Sequence, residues 1–256
     1  MSELSQKYGQ ESELTVHCGK VHDYLGMVID YSTPGQVSFS MPEYVDKLIK
    51  ETPSEMLGRT VQTPATLHLF KINNDAVKLS SEDAVLYHHL MAKILHLCKR
   101  TRPNLQLAVA FLTTQVKCPD ADNYKKLGRC LTYIRDTRDM KLTLAANNMS
   151  QINWWVDASF AVHPKCRSHT GATMTLGKGA VYSMSTKQKI NTRSSTEAEL
   201  VAINNAMSMI LWVRNFLIAQ GYQITDNVIM QDNQSTILLA ENGRQSSGKK
   251  TCHIEI

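Results

Sequence analysis

The sequence predicts an α/β protein whose C-terminal mixed sheet is flanked by helices and preceded by a smaller part of strands and helices. Three observations support this class: strand-like runs before residue 41, amphipathic helical runs between residues 83 and 136, and alternating strands and helices after residue 150. The chain has 256 residues, 43% of them hydrophobic, which is enough for one large core or two smaller ones.

The net charge, the apolar runs and the cysteines limit the class of protein that this sequence can represent. The formal net charge of +5 permits a polyanionic partner without requiring one. The polar start MSELSQKYGQ predicts no secretory signal, and no apolar run approaches the roughly 20 residues that cross a bilayer. We expect a soluble intracellular protein with no membrane contact, with cytoplasm and nucleus both open. Six scattered cysteines without a C-x-x-C pair indicate reduced thiols: Cys18, Cys98, Cys118, Cys130, Cys166 and Cys252.

The first two predicted units are residues 1–75 and 76–148. In the first, LTVHCGKVHDYLGMVIDYS and QVSFS predict strands around the turn TPG, MPEYVDKLIKE predicts a helix, and TPSEMLGRTVQTPAT is typical of a linker. In the second, DAVLYHHLMAKILHLCKR, PNLQLAVAFLTTQV and DADNYKKLGRCLTYIRD have helical apolar spacing. Pro103 falls in a first helical turn, where a missing N–H is tolerated. These helices are interpreted as packed scaffold.

The third predicted unit, residues 151–256, has the order β-β-β-α-β-α. INWWVD predicts a strand ending in Asp157, GATMTLGKGAVYSMSTKQ predicts a hairpin around residues 177–179, and a helix follows from Ser194 to about Ala219. NVIMQD predicts a last strand ending in Asp232, followed by a short helix in QSTILLAEN.

Two glutamates at the start of the long helix have different predicted roles. At about 100° per residue, Glu199 falls about 200° from Glu197, at the edge of the apolar stripe that includes Ile203 and Ile210. Glu197 lies outside that stripe and can close a capping box with Ser194. A buried acid such as Glu199 costs free energy unless its charge is compensated, and a metal ion is a suitable compensation.

A carboxylate cluster follows from the predicted topology. If the long helix is a crossover, the strands that end in Asp157 and Asp232 run parallel, and their carboxyl ends share one rim with Glu199. Three carboxylates at one point suit Mg²⁺ or Mn²⁺. Taken singly, each acid is more typical of a turn or cap, and Asp232 could merely cap the next helix.

The charge around this rim favours a polyanionic substrate. Between Asp157 and Glu197 there are six basic residues and no acidic ones, although a solvated sheet face is the ordinary interpretation of such a run. A structural zinc site at His163, Cys166 and His169 is disfavoured, because no second ligand pair lies near in sequence. The residues assigned to nucleic-acid contact are Lys165, Arg167, Lys187, Lys189, Arg193, Ser195 and Asn233; Lys178 completes the six basic residues.

On these residues, the third unit resembles the ribonuclease H domain of copia-type LTR-retrotransposon Pol polyproteins. The matching runs are WWVDASFA, RSHTGATMTLGKGAVYSMSTKQKINTRSSTEAELVAI, LWVRNFL and QDNQSTILLA. KVHDYLGMVID resembles the late palm and primer-grip region of the reverse transcriptase. YHHLMAKILHLCKRTRPNLQLAVAFLTTQV and YKKLGRCLTYIRDTRDMKLTL resemble its thumb and connecting helices, so the resemblance covers almost the whole chain.

The resemblance implies an RNase H-like fold that cleaves the RNA strand of RNA–DNA hybrids. Asp157, Glu199 and Asp232 match three metal-binding acids of the family, with Glu199 opening the run ELVAI. Two Mg²⁺ or Mn²⁺ ions about 4 Å apart would bridge the scissile phosphate, and contacts to the 2′-hydroxyl would distinguish RNA from DNA. The rest of a Pol polyprotein, or another reverse transcriptase chain, is the further partner implied.

Departures from the family pattern set two further expectations. The paired polymerase aspartates lie upstream of anything present, so no polymerase activity is expected. The end KKTCHIEI matches the start of another helix, so the unit is expected to be truncated before its last strand and the fourth acid, with Cys252 and Glu255 as substitutions. The alternative to an active nuclease is a catalytically dead, nucleic-acid-binding remnant of a retroelement. A fragment that does not fold stably is a third hypothesis.

Overall fold

The computed structural model of the chain describes residues 6–9 and 18–246 and has the predicted α/β class. Its strands are β1 (Val21–Tyr24), β2 (Met27–Asp30), β3 (Val37–Ser40), β4 (Leu142–Ala146), β5 (Gln151–His163), β6 (Arg167–Thr175), β7 (Gly177–Lys178), β8 (Tyr182–Asn191) and β9 (Asp226–Met230). Its helices are α1 (Pro42–Glu51), α2 (Ser81–Arg100), α3 (Gln106–Thr113), α4 (Ala121–Asp136), α5 (Ser195–Ala219) and α6 (Gln234–Ser246). The predicted tail from residue 247 lies outside the described residues.

The first sheet has the order β1-β2-β3-β4-β7, with every neighbouring pair antiparallel. The segment KVHDYLGMVIDYS, predicted as part of one strand piece, forms two strands with a turn at Leu25 and Gly26. Both turn residues have positive φ, as a type I′ hairpin loop requires. Neither β4 nor its pairing with β7 was predicted. Gly177 and Lys178, expected as turn residues of a hairpin, pair instead with Ala146 and Ala145.

The helices α1 to α4 pack together on one hydrophobic core. Side-chain caps start two of them: Ser80 accepts a hydrogen bond from the Asp83 N–H, and Asp120 accepts one from the Asn123 N–H. Pro103 lies in a 3₁₀ turn directly before α3, as its position in the sequence predicts. The core takes residues from both of the first two predicted units, and its largest fully buried members include Tyr87, Phe111, Leu48, Leu90, Met91 and Ile94.

The second sheet has the order β8-β6-β5-β9. β6 pairs antiparallel with both β5 and β8, and β9 pairs parallel with β5 through the crossover helix α5. The predicted parallel pair is therefore confirmed. Its core lies between the sheet and α5 and includes Trp154, Ala172, Ala202, Ala206 and Ile210. The boundaries predicted near residues 75 and 150 stay predictions.

Two expectations about this part of the chain are wrong. Asp157 does not end β5, because the strand continues to His163, paired with β6 up to Ser159 and again, beyond a register shift, at His163. The second concerns apolar length, because no run long enough to cross a membrane was expected. Among the described residues, one helix, α5, is long and apolar enough to do so, judged by its length and composition only. No charged residue lies between Glu199 and Arg214, and one face of α5 packs on the second sheet.

Candidate metal centre

Three carboxylates meet at one rim of the second sheet. Asp157 lies within β5, Glu199 lies in the first turns of α5, and Asp232 follows β9 by two residues. One oxygen from each can be chosen so that all three lie within 4.8 Å of one another. No other group of three or more such ligand residues occurs among residues 6–9 and 18–246. The structure therefore brings together the three acids that were predicted from topology.

Glu199 is the buried member of this cluster, with 5% of its surface exposed. Its Oε1 accepts a hydrogen bond from the Ala158 backbone N–H at 3.1 Å, and its Oε2 accepts one from Gln231 Nε2 at 3.1 Å. Burial raises the pKa of Glu199, the two hydrogen bonds oppose that rise, and nearby Asp157 and Asp232 add to it. The carboxyl group is thus held in place in a setting where a cation would stabilise its charged form.

Gln231 orders the rim beyond Glu199. Its Nε2 also donates to the Val156 carbonyl at 3.3 Å, and its Oε1 accepts from the Asn233 backbone N–H at 3.0 Å. This role was not predicted, because Gln231 lies in irregular backbone where no periodic pattern assigns its direction. Its position next to Asp232 in the sequence was the available signal.

The helices α5 and α6 are capped at their N-termini by residues other than Glu199 and Asp232. Ser194 Oγ accepts from the Glu197 N–H at 3.2 Å, and Glu197 Oε2 accepts from the Arg193 N–H at 2.6 Å. The capping interpretation of Glu197 is confirmed, with Arg193 as the donor in place of Ser194. Asn233 Oδ1 accepts from the Thr236 N–H at the start of α6, which leaves Asp232 exposed and outside the cap.

The donor set fits a hard divalent cation. All three ligands are carboxylates, and Mg²⁺ and Mn²⁺ prefer oxygen ligands. The Glu199 carboxylate has about four lone-pair positions, and its two hydrogen bonds leave about two of them for a metal ion. The residues present could therefore hold such an ion.

The predicted basic surface is only partly gathered beside this cluster. Lys187 and Lys189 are exposed in β8, two and four residues beyond Ser185, which lies opposite Gly171 and so in line with Asp157. Side chains two residues apart point to the same face of a regular sheet, so Lys187 shares the face of Asp157. Lys189 lies beyond Lys187, where the pairing of β8 with β6 shifts register. Arg193 and Ser195 are exposed on either side of the α5 cap.

The remaining basic residues lie elsewhere: two are at the turn between β5 and β6, where Arg167 is opposite His163, six residues beyond Asp157. Lys165 is exposed in the turn after β5, and Arg167 begins β6. Lys178 lies in β7, where its Nζ donates to Gln36 Oε1 of the first sheet at 3.4 Å. Lys178 therefore belongs to the first sheet and not to the metal rim.

The zinc hypothesis is not supported by the contacts. His163 Nε2 and His169 Nδ1 share a hydrogen bond of 2.9 Å, and His169 Nε2 contacts Ser185 Oγ at 2.7 Å. Cys166 is exposed and belongs to no ligand group among the described residues. Burial lowers the pKa of both imidazoles to about 4, so the pair is neutral near pH 7.

Comparison with known proteins identifies the class to which this chain is related. Its homologues are retrovirus-related Pol polyproteins from copia- and Ty1-type transposons, and they align with most of the chain. The chain is 24% identical over 245 residues to the Pol polyprotein of transposon TNT 1-94 from Nicotiana tabacum, which covers 93% of the chain. It is 28% identical to the transposon RE2 polyprotein of Arabidopsis thaliana over 87% of the chain.

A shorter relative is the putative transposon Ty5-1 protein of Saccharomyces cerevisiae, 28% identical over 74% of the chain. The chain spans 18% of the TNT 1-94 polyprotein, 15% of the RE2 polyprotein and 61% of the Ty5-1 protein. No protein-family model matches the chain, and no solved structure matches it.

Proposed function

We propose that the chain carries a retrotransposon-derived ribonuclease H module that hydrolyses the RNA strand of RNA–DNA hybrids. The observation that carries this proposal is the convergence of Asp157, Glu199 and Asp232 within 4.8 Å at the rim of a sheet with a parallel crossover. Homology to Pol polyproteins supports a retroelement-derived, nucleic-acid-acting module. Part of a larger polyprotein, or a second reverse transcriptase chain, remains its proposed protein partner.

In this mechanism, Asp157, Glu199 and Asp232 would hold two Mg²⁺ or Mn²⁺ ions. Ions held there would supply charge stabilisation for an attacking water and for the leaving 3′ oxygen. Gln231 and the Ala158 N–H orient Glu199, which keeps one ligand fixed while the exposed Asp157 and Asp232 face the substrate side. Lys187, on the face of Asp157, and the exposed Lys189 beyond it would contact backbone phosphates. Contacts to the 2′-hydroxyl would select the RNA strand.

The test is cleavage of a labelled RNA–DNA hybrid in Mg²⁺ and in Mn²⁺. Asp157→Asn and Glu199→Gln should each lower the rate by at least about 100-fold, because even changes behind the ligands of metal sites cost about 10- to 100-fold. Glu197→Gln is the matched control, since its carboxylate caps α5 and does not belong to the carboxylate cluster. It should retain cleavage and lose only about 0.3–1 kcal/mol of stability, because the Gln oxygen can still accept the Arg193 N–H while the negative charge at the helix N-terminus is removed.

Two results would count against this function. Cleavage that survives both Asp157→Asn and Glu199→Gln would come from another site or a contaminant. Absence of cleavage in either metal by a folded protein, with salt-sensitive hybrid binding that survives Asp157→Asn, would favour the catalytically dead binding remnant.

A further inference from the structure

A cleft begins at the carboxylate cluster and runs along one face of the second sheet. It has a volume of about 780 Å³, and its lining includes Asp157, Asp232 and the half-exposed Trp155. Its far wall is formed by the start of α3, including Leu107. The cleft thus leads from the proposed metal site towards the helical part of the molecule.

Two further hollows neighbour this cleft. Leu107 also lines a hollow of about 710 Å³ formed with the loop of residues 63–70, and Arg129 belongs to the lining of that hollow. Arg129 in turn lines a third hollow of about 700 Å³, between the loop of residues 65–75 and α4. Neighbouring hollows share lining residues, so the series of three leads from the metal cluster to α4.

The third hollow, here called the basic pocket, is defined by Lys71, Lys125, Lys126 and Arg129. Its acidic members are Asp75 and Asp122, and Asp122 is paired with Lys126 at 2.8 Å. Within the described residues, Lys71, Lys125 and Arg129 make no ion pair. The pocket therefore presents uncompensated positive charge.

Arg129 adds a second sign of an anionic ligand. One terminal nitrogen donates to Thr63 Oγ1 at 2.9 Å, while its buried Nε has no hydrogen-bond partner among the described residues. A buried guanidinium N–H without a partner costs free energy, and a phosphate oxygen is a strong acceptor for it. A guanidinium that is not fully paired, at the wall of a pocket with excess positive charge, favours an anionic ligand.

We propose that the basic pocket is a second nucleic-acid contact that holds backbone phosphates of a duplex whose scissile strand lies at the carboxylate cluster. This inference rests on the proposed function and adds residues of the helical part to the substrate surface. The series of hollows leads from one place to the other, and a chain of this size has a diameter of roughly 45 Å, about 13 base pairs at 3.4 Å each. A hybrid of about 20 base pairs is longer than that diameter, so it can reach both places.

The experiment measures the affinity of the full chain, carrying Asp157→Asn to prevent cleavage, for a long hybrid of about 20 base pairs at several salt concentrations. The test variant combines Lys71→Gln with Lys125→Gln, two exposed lysines outside any ion pair. The matched control combines Lys47→Gln with Lys99→Gln, which are exposed on α1 and α2 and line none of the three hollows.

The test variant should bind the long hybrid about 5- to 50-fold more weakly at about 0.1 M salt, with a salt slope smaller by about 1 to 2. The affinity of the control should be unchanged. Equal affinity of the test and control variants for the hybrid would overturn the basic-pocket proposal alone. If the hybrid does not bind the parent protein, the proposed function itself fails, and this inference with it.

Discussion

Burial of a carboxyl group costs free energy, and at Glu199 two hydrogen bonds offset part of that cost. The neighbouring Glu197, two positions away, points elsewhere and holds the backbone at the start of α5. The helical period alone separated these roles, since residues two apart lie about 200° from each other. The donors to Glu199 come from β5 and from the segment after β9, and their identity could not be derived from that period.

The buried histidine pair sets an expected pH dependence of stability. Burial lowers the pKa of His163 and His169 from the ordinary 6.5 to about 4, so between these values the unfolded chain binds more protons than the folded one. Stability should therefore fall as the pH is lowered from about 6.5 towards 4. Thermal unfolding at pH 7 and pH 5 measures this effect.

Replacing one member of the pair should weaken that dependence. His169→Gln removes one of the two groups, so the loss of melting temperature between pH 7 and pH 5 should become smaller. His88→Gln, at an exposed position of α2, is the control and should keep the full loss. An undiminished loss in His169→Gln would assign the pH effect to other groups.

At the scale of elements, small side chains decide how α5 meets the sheet. The buried face contains Ala198, Ala202 and Ala206 as well as the larger Ile203 and Ile210. Leu200 and Met207, which also fall in the apolar stripe of Ile203 and Ile210 at about 100° per residue, are only half-buried. The face is thus rotated towards the alanines, which puts Glu199 near its centre and not at its edge. Short side chains allow this helix to approach the sheet closely, which apolarity alone does not reveal.

The packing of α4 depends on a glycine. A Cβ at Gly128 would lie 2.5 Å from the Met56 carbonyl oxygen, in the segment predicted as a linker. Alanine favours a helix by about 1 kcal/mol over glycine, but this contact with backbone forces the helix and that segment apart. Gly128→Ala should therefore lower the free energy of unfolding by about 1–3 kcal/mol.

Urea unfolding checks this prediction against Gly58→Ala, where a Cβ would meet nothing within 4 Å. The control should change the free energy of unfolding by less than about 0.5 kcal/mol. A more stable Gly128→Ala protein would mean that α4 and the segment around Met56 are not in close contact.

At the scale of the whole molecule, the helical part and the second sheet share an interface. Gln106 of α3, 8% exposed, donates to the Ser183 carbonyl at 3.0 Å and accepts a hydrogen bond from Ser183 Oγ. The Phe70 ring lies 4.8 Å from that of His163 and 5.2 Å from that of His169. These contacts couple the two hydrophobic cores, so we expect the protein to unfold in one cooperative transition.

Gln106→Ala should weaken that coupling by removing two hydrogen bonds to the half-buried Ser183, at a cost of about 1–3 kcal/mol. Calorimetry should show a lower melting temperature and a transition that broadens or divides in two. Gln223→Ala, at an exposed site, should leave the transition unchanged. Two separate transitions in the unsubstituted protein would contradict the coupling.

The sequence by itself determined the α/β class, the long helices, the capped start of α5, the parallel crossover and the convergence of three acids. These depend on local period, capping chemistry and the direction of neighbouring strands, which are all written in short stretches of chain. One prediction from a local pattern was wrong. The acid at the end of INWWVD predicted that β5 ends at Asp157, whereas pairing with β6 extends the strand.

Tertiary structure alone decided the pairing of β7 with β4, the hydrogen bonds that hold Glu199, the histidine pair beside Phe70, and the lining of the basic pocket. Each of these joins residues far apart in the sequence, and each depends on how separate elements pack against one another. No local period encodes such a placement, because it results from the sum of many weak contacts over the whole molecule.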